Sequence, residues 1–467
     1  MTTTSDDLVL GIDSSTQSVK ALLVRAADGS LVDERTTAHP DGTEVDPRAW
    51  LEALDAVTAD LLPRAAAVAV GAQQHGMVAL DATETAVHPA LLWNDVRSAD
   101  AAGQLIQEWG GPQATADAVG SLLVASFTAT KLRWLRDFEP ERAERVRRVL
   151  LPHDLLTWHL GGRADDPTTD RGDASGTGYF SPADDAWRPD LAADALGHEF
   201  ALPRVAAPAE VVGRTSTGAL VAPGTGDNMA AALGLGLRPG DVAVSIGTSG
   251  VASAVAGAAC ADPSGEVAGF CDATGAFLPL VCTLNAARVL DTTARLLGTD
   301  HEGLASLALS APAGAGGLTL LPYLDGERTP NRPDAHGTLH GLTTATGPEH
   351  LARAAVEGLL CSLADAVDRL VEVTGLEVGR IVLVGGGARS QAVRELAPAV
   401  FGRSVVVPGD AQYVALGAAR QAAWALSGAD TAPAWSLPDP LTFDAEPTPH
   451  VREAYARLRD RTDDWSS

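Results

Sequence analysis

A glycine-rich turn runs straight into an acid at 223–236, PGTGDNMAAALGLG. The glycines let the backbone turn sharply and come close to a ligand. Asp227 falls at or near the N-cap of an alanine-rich helix, where amide donors and the helix dipole favour its anion. A carboxylate held rigid and ionised can take a proton from a hydroxyl. Capping alone would also account for an Asp-Asn pair before an apolar run, so the weight rests on what accompanies it. Three glycine- or hydroxyl-rich turns follow apolar strands, at 13–18, 245–250 and 385–390. Each can aim several backbone N–H groups at one point, the way neutral backbone cradles a phosphate. Asp13 has no basic partner nearby in sequence. Holding hydrated Mg2+ on nucleotide phosphates suits it, since Mg2+ keeps waters and takes few carboxylates.

The elements that must position these residues read as alternating strands and helices. Residues 8–13 and 19–24 form a hairpin around SSTQS, and 46–62 shows helical spacing with Trp50, Leu51, Leu54, Val57 and Leu61 on one face. The strand at 65–71 delivers Gln73, Gln74 and His75, and the one at 90–93 delivers Asn94, Asp95 and Arg97. Polar residues gathered just past apolar strands mark the ligand side of an α/β sheet. Helices are expected at 131–138 and 151–160, then a varied polar loop at 165–180 whose Asp173 is a further candidate for the site. The second half opens on DVAVSIGTSGVASAV, a strand–turn–strand of the same form as the first, with Thr248 matching Thr16 half a chain length earlier. Such a repeat suggests two halves of similar fold. A helix at 348–373, a strand at 380–384, an alanine-rich helix at 414–426 and a surface helix at 449–461 complete it.

Composition narrows the partners. The 467 residues are 46% hydrophobic, enough for two domains with sizeable cores. Thirty-four basic against sixty acidic residues leave a net charge of −26, which disfavours nucleic acid and acidic lipid. An anionic substrate would therefore need an amide-rich pocket, and Lys20 and Lys131 are the only lysines. Cys260, Cys271, Cys282 and Cys361 form no CxxC pair and sit in apolar surroundings, as buried free thiols would in a reducing, cytoplasmic setting. Neither a secretory leader nor a membrane-spanning run is evident. Glu327 and Arg328 read as an ion pair fixing a loop.

Taken in order, GIDSSTQSVK, QQHG, LLWNDVRS, FTATKLRWL, GTGDNMAAALGLG, SIGTSGV, LPYLDGERTPNRP, GGGARS and ALGAAR run from residue 11 to 420. This ordered set resembles the FGGY carbohydrate kinases over nearly the whole chain. The resemblance implies an α/β protein of two actin-like, ribonuclease-H-like domains with an interdomain catalytic cleft. Residues 1–238 would bind sugar and 239–467 would bind ATP. It implies that Asp227 is the general base and that Gln74, His75 and Asn228 contact the sugar. Trp93, Asn94 and Asp95 would line or support the pocket, though Trp93 by itself reads as packing. Asp13, Thr16, Gly247 and Thr248 match the phosphate and Mg2+ turns, and Gly386 and Ala388 the adenosine turn. Ser15 departs from the glycine common at that place. A homodimer is also implied.

The activity so implied is phosphorylation of the terminal hydroxyl of a ketopentose by MgATP. Asp227 would take the proton while turn amides and hydroxyls bear the charge of the transferring group. Another ketose or a polyol would fit the same chemistry. A sugar or nucleotide sensor would have no need of the base, and a chaperone-like ATPase no need of residues 74, 75 and 228.

Overall fold

The computed structural model describes residues 6–463. The described chain forms two units. The first runs to Leu237 and adds Gly257–Leu278 and Ala411–Ser436; the second holds Arg238–Ala256, Pro279–Asp410 and the chain from Leu437.

In the first unit, β1 (Leu8–Ser14), β2 (Ser18–Arg25), β3 (Leu31–Ala38), α1 (Pro47–Thr58) and β4 (Ala67–Ala72) lead to α2 (Thr128–Phe138), α3 (Pro152–Leu160) and α4 (Arg171–Ala174). Three short strands follow, β5 (Gly213–Arg214), β6 (Leu220–Val221) and β7 (Thr225–Gly226), and then α5 (Asp227–Gly234). The sheet order is β5-β6-β4-β1-β2-β3, with β7 also alongside β4. β1 and β2 are antiparallel, pairing Asp13 with Lys20, while β4 runs parallel to β1. Because side chains alternate across a strand, β1 serves two cores. Leu10 and Ile12 join Trp50, Leu54 and Val57 of α1 and Leu155 and Leu156 of α3. Val9 faces the other way, into a layer of alanines at 415, 418, 419 and 422.

The second unit repeats this plan. β8 (Asp241–Ile246) and β9 (Gly250–Ala254) are antiparallel, and β10 (Phe277–Thr283) pairs with β9. The helices α6 (Ala287–Leu297), α7 (His301–Ser310) and α8 (Pro348–Thr374) precede β11 (Arg380–Val384), which lies parallel to β8. After α9 (Gln391–Phe401) comes β12 (Val405–Val407), giving the order β10-β9-β8-β11-β12. An antiparallel hairpin flanked by a parallel strand thus occurs twice, as the matching hairpins foretold.

The alanine-rich helix α10 (Tyr413–Ser427) belongs with the first unit, although the sequence reading assigned the whole of 239–467 to a second domain. Its small side chains explain why. A Cβ on Gly11 would lie 1.9 Å from the Ala415 carbonyl oxygen, and one on Gly417 would lie 1.8 Å from that of Ala230. Only glycine and alanine surfaces let β1, α5 and α10 approach so closely.

Candidate active site

Asp227 is the first residue of α5, and Gly226 is the cap. Its Oδ1 accepts from the Asn228 amide at 2.8 Å, and the Asn228 side-chain Nδ2 donates to Gln74 Oε1 at 2.7 Å. The residue is part-buried. The expectation that amide donors and the helix dipole keep it readily ionised is not met. Burial, with the charges of Asp13 and Asp173, outweighs the Asn228 amide and pushes its carboxyl up to about 7. A carboxyl poised there suits proton transfer at neutral pH better than a strongly acidic one.

Asp13, next to the last residue of β1, is buried, and burial raises its carboxyl too. Two groups pull it back. The Ser15 hydroxyl donates to Oδ1, and Lys20 lies 3.9 Å from Oδ2. Lys20 is a basic partner after all: the hairpin register sets it directly across from Asp13. Thr16, in the turn, accepts from the Trp93 indole N–H at 2.9 Å. Trp93 does not pack inward; it is 48% exposed. Asn94 is part-buried, and its Oδ1 has no hydrogen-bond partner among the described residues. Asp95 is committed to structure, accepting from Thr43 at 2.8 Å and Arg97 Nε at 2.9 Å.

His75 has φ 67°, in the left-handed region that few side chains adopt. The surroundings fix it there. Its Nδ1 lies 2.6 Å from the Gly176 carbonyl, and its ring stacks on Phe127 at 4.9 Å with Phe270 tilted at 5.6 Å. Its own carbonyl accepts from Lys131 Nζ at 2.8 Å and Thr128 Oγ1 at 3.2 Å. Lys131 is fully buried, and that burial brings its ammonium down to about 7. Sequence reasoning did not single out Lys131 for a role. Its place in FTATKLRWL, as one of only two lysines, was a signal. Nothing local marked Phe270.

The segment 165–180 is not a polar surface loop. Residues 167–170 and 172–182 are buried, and α4 falls among them, with Arg171 part-buried. Asp173 accepts from His153 Nδ1 at 2.7 Å.

In the second unit, the 245–250 turn is pinned to the start of α6: Ala286 N donates to Thr248 O at 3.2 Å and Ala287 N to Gly247 O at 2.8 Å. The Thr248 side chain is exposed. The glycine turn after β11 presses on the end of β8, since a Cβ on Gly387 would lie 2.3 Å from Ile246 Cγ2. The two turns therefore meet. Beside them opens a cavity of about 550 Å3 lined by Gly386, Gly387, Ala287, Leu290, Asp291 and His301, among others. Gly386 faces it, whereas Ala388 is buried with its amide on Gly385 O at 3.1 Å. Glu327 is fixed by the Leu284 and Arg328 amides and by Asn285 Nδ2 at 3.0 Å, so an ion pair with the Arg328 guanidinium is not what holds that loop. Cys271 and Cys361 are buried, while Cys260 and Cys282 are only half-buried. Among the described residues, no helix is long and apolar enough to cross a membrane, and no group of three His, Cys, Asp or Glu could hold a metal.

A part-buried carboxyl, amide-rich turns and a cavity beside one of them suit transfer of a phosphoryl group to an alcohol. Comparison with known proteins agrees. Residues 8–235 match the N-terminal domain of the FGGY family of carbohydrate kinases and 240–426 match its C-terminal domain. The chain is 47% identical over 447 residues to a xylulose kinase of Streptomyces coelicolor, covering 92% of this chain and 91% of that one. It is 35% identical over 445 residues to a xylulose kinase of Escherichia coli, covering 89% of each. The solved xylulose kinase of Bifidobacterium adolescentis superposes with a TM-score of 0.92 at 43% identity, over 98% of this chain and all of that one. The chain belongs to the FGGY family of carbohydrate kinases and is an ATP-dependent sugar kinase.

Proposed function

We propose that this kinase transfers the γ-phosphoryl group of ATP to the terminal hydroxyl of D-xylulose, giving D-xylulose 5-phosphate, with Asp227 as the general base. The observation that carries the reading is the Asp227 carboxyl. It is raised to about 7 and tied through Asn228 to Gln74. The choice of sugar rests on relatives named xylulose kinase that match over nearly their whole length.

Asp227 takes the proton of the sugar hydroxyl as that oxygen attacks the γ-phosphorus and the bond to ADP breaks. Gln74, His75, Trp93, Asn94 and Asn228 bind and orient the sugar. The locked backbone at His75 and the Asn228–Gln74 bond mean that little reorganisation is needed on binding. The amides and hydroxyls at Thr16, Gly247 and Thr248 take the phosphates, and the cavity at Gly386 takes the nucleoside, with Ala388 supporting the turn from behind. The donor set at Asp13 fits Mg2+: one hard, buried carboxylate, leaving the remaining positions to phosphate and water. When bound there with the nucleotide, Mg2+ would neutralise charge on the phosphates.

ADP release measured against a panel of ketoses and polyols tests the reading. D-xylulose is expected to give the highest kcat/KM. A better ketose or polyol would move the specificity without touching the base. Sugar-independent release would indicate an ATPase, and none at all a sensor.

A further inference from the structure

A buried group of charges near Asp227 and His75 has no role in the transfer proposed above. His153, on α3, is fully buried between carboxylates. Its Nδ1 meets Asp173 Oδ2 at 2.7 Å, and its Nε2 lies 3.2 Å from Asp154 and 3.8 Å from Asp170. Burial alone would discharge the imidazole, but Asp154, Asp173 and Asp170 outweigh it and hold it up to about 9. A buried cation so compensated fixes its partners in place, because any departure would strand a charge.

Asp170 caps α4 and Asp173 lies within it, and the two ends of that segment reach toward Asp227 and His75. At its start, Asp170 caps α4, accepting from Gly172 N at 3.0 Å and Asp173 N at 2.9 Å. Asp170 Oδ2 also accepts from the Thr225 hydroxyl at 2.7 Å. Thr225 and Gly226 form β7, whose next residue is Asp227. At its other end, the Gly176 carbonyl meets His75 Nδ1, while Gly176 N donates to Asp173 O at 2.9 Å. The fit leaves no slack: a Cβ on Gly172 would lie 3.0 Å from Thr225 Oγ1 and one on Gly176 2.8 Å from the His75 ring.

We propose that Asp170, Asp173 and His153 are positioning residues that hold the base and the sugar-facing imidazole in one frame, through Thr225 at one end of α4 and Gly176 at the other. The inference rests on the kinase reading above, since it assigns this buried group to the alignment of Asp227 and His75. The group acts through Thr225 and Gly176 rather than by contact with a reactant. A shift at either end of α4 is transmitted to the other, so base and sugar cannot drift apart independently.

Thr225→Val keeps shape and removes only the hydroxyl on Asp170. It is expected to lower kcat roughly tenfold, with the KM for ATP unchanged and the melting temperature within a few degrees of the parent. Thr225→Ser, which restores the hydroxyl, should recover most of that loss. Asp173→Asn keeps an acceptor for His153 but removes the charge, and should raise the sugar KM several-fold more than the ATP KM. Unchanged sugar kinetics in both variants would overturn the proposal. So would parallel losses in kcat, both KM values and melting temperature, with no rescue by serine. Amide hydrogen exchange without any substrate separates this from the functional reading. Thr225→Val should speed exchange at 225–228 at least several-fold even if the parent phosphorylated no sugar tested, and unchanged exchange there would sink the frame itself.

Discussion

The Trp93 indole N–H donates to the Thr16 hydroxyl at 2.9 Å, linking a half-exposed aromatic beside Asn94 to the turn that follows Asp13. A residue assigned to the sugar and one assigned to the phosphates thus share a hydrogen bond. Trp93→Phe keeps the ring face and deletes the donor. One neutral hydrogen bond is worth about 0.5–1.5 kcal/mol, so steady-state kinetics should show kcat/KM down roughly three- to tenfold. Little stability should be lost, because the side chain is half in solvent.

Asp227→Asn tests the charge on the base in a second way. A carboxyl raised to about 7 binds a proton that the unfolded chain, with its ordinary value near 4, has already lost. Folding stability from this group is therefore highest at acid pH and declines as pH rises through 4 to 7. At pH 8 the asparagine variant, free of that penalty, should melt higher. The gain is about 1–2 kcal/mol after discounting for partial exposure. Calorimetry at pH 5 and pH 8 checks this, and the advantage should shrink at pH 5. The parent's kcat/KM for sugar should rise with pH through an apparent value near 7.

Much of this was legible in the chain. Short apolar runs joined by glycine- or hydroxyl-rich turns placed β1, β2, β8 and β9, and the apolar strand ends marked Gln74, His75 and Asn94 as candidates. The charge state of Asp227 was not legible. It depends on Asp13 and Asp173, which come from elements far away in sequence, and on burial that no local pattern encodes. Lys20 was within reach, since a hairpin about SSTQS sets positions 13 and 20 opposite one another. The membership of α10 was hidden for another reason. An alanine-rich face announces close packing but not the partner, and here the partner is β1 and α5, with Gly11 and Gly417 at the contact.

That contact gives a stability prediction. Gly417→Ala would drive a methyl to 1.8 Å from the Ala230 carbonyl oxygen. Overpacking of this kind costs about 1–3 kcal/mol, occasionally more. Thermal melting should register the loss, and activity should fall further than stability because Ala230 lies on the helix that Asp227 begins.

Lys131→Met removes the donor that serves the carbonyls of His75 and Ser126, at 2.8 and 2.7 Å. Leaving buried acceptors unpaired costs about 1–3 kcal/mol each. The variant should be less stable and should show a raised sugar KM as the left-handed backbone at His75 relaxes. The KM for ATP should not follow.

Gly386→Leu probes the nucleotide cavity alone. A Cβ there meets nothing within 4 Å, and Gly386 borders the cavity of about 550 Å3. The leucine side chain should occupy that space and raise the ATP KM tenfold or more, with melting temperature and sugar affinity little changed. A normal ATP KM would move the nucleoside elsewhere.

The most direct test of the account is sugar-dependent ADP release by Asp227→Ala, measured beside binding of ATP and D-xylulose to the same preparation. The account predicts that turnover falls at least a thousandfold, roughly 4 kcal/mol of barrier, while both ligands still bind. Near-normal turnover in a correctly folded variant would contradict it.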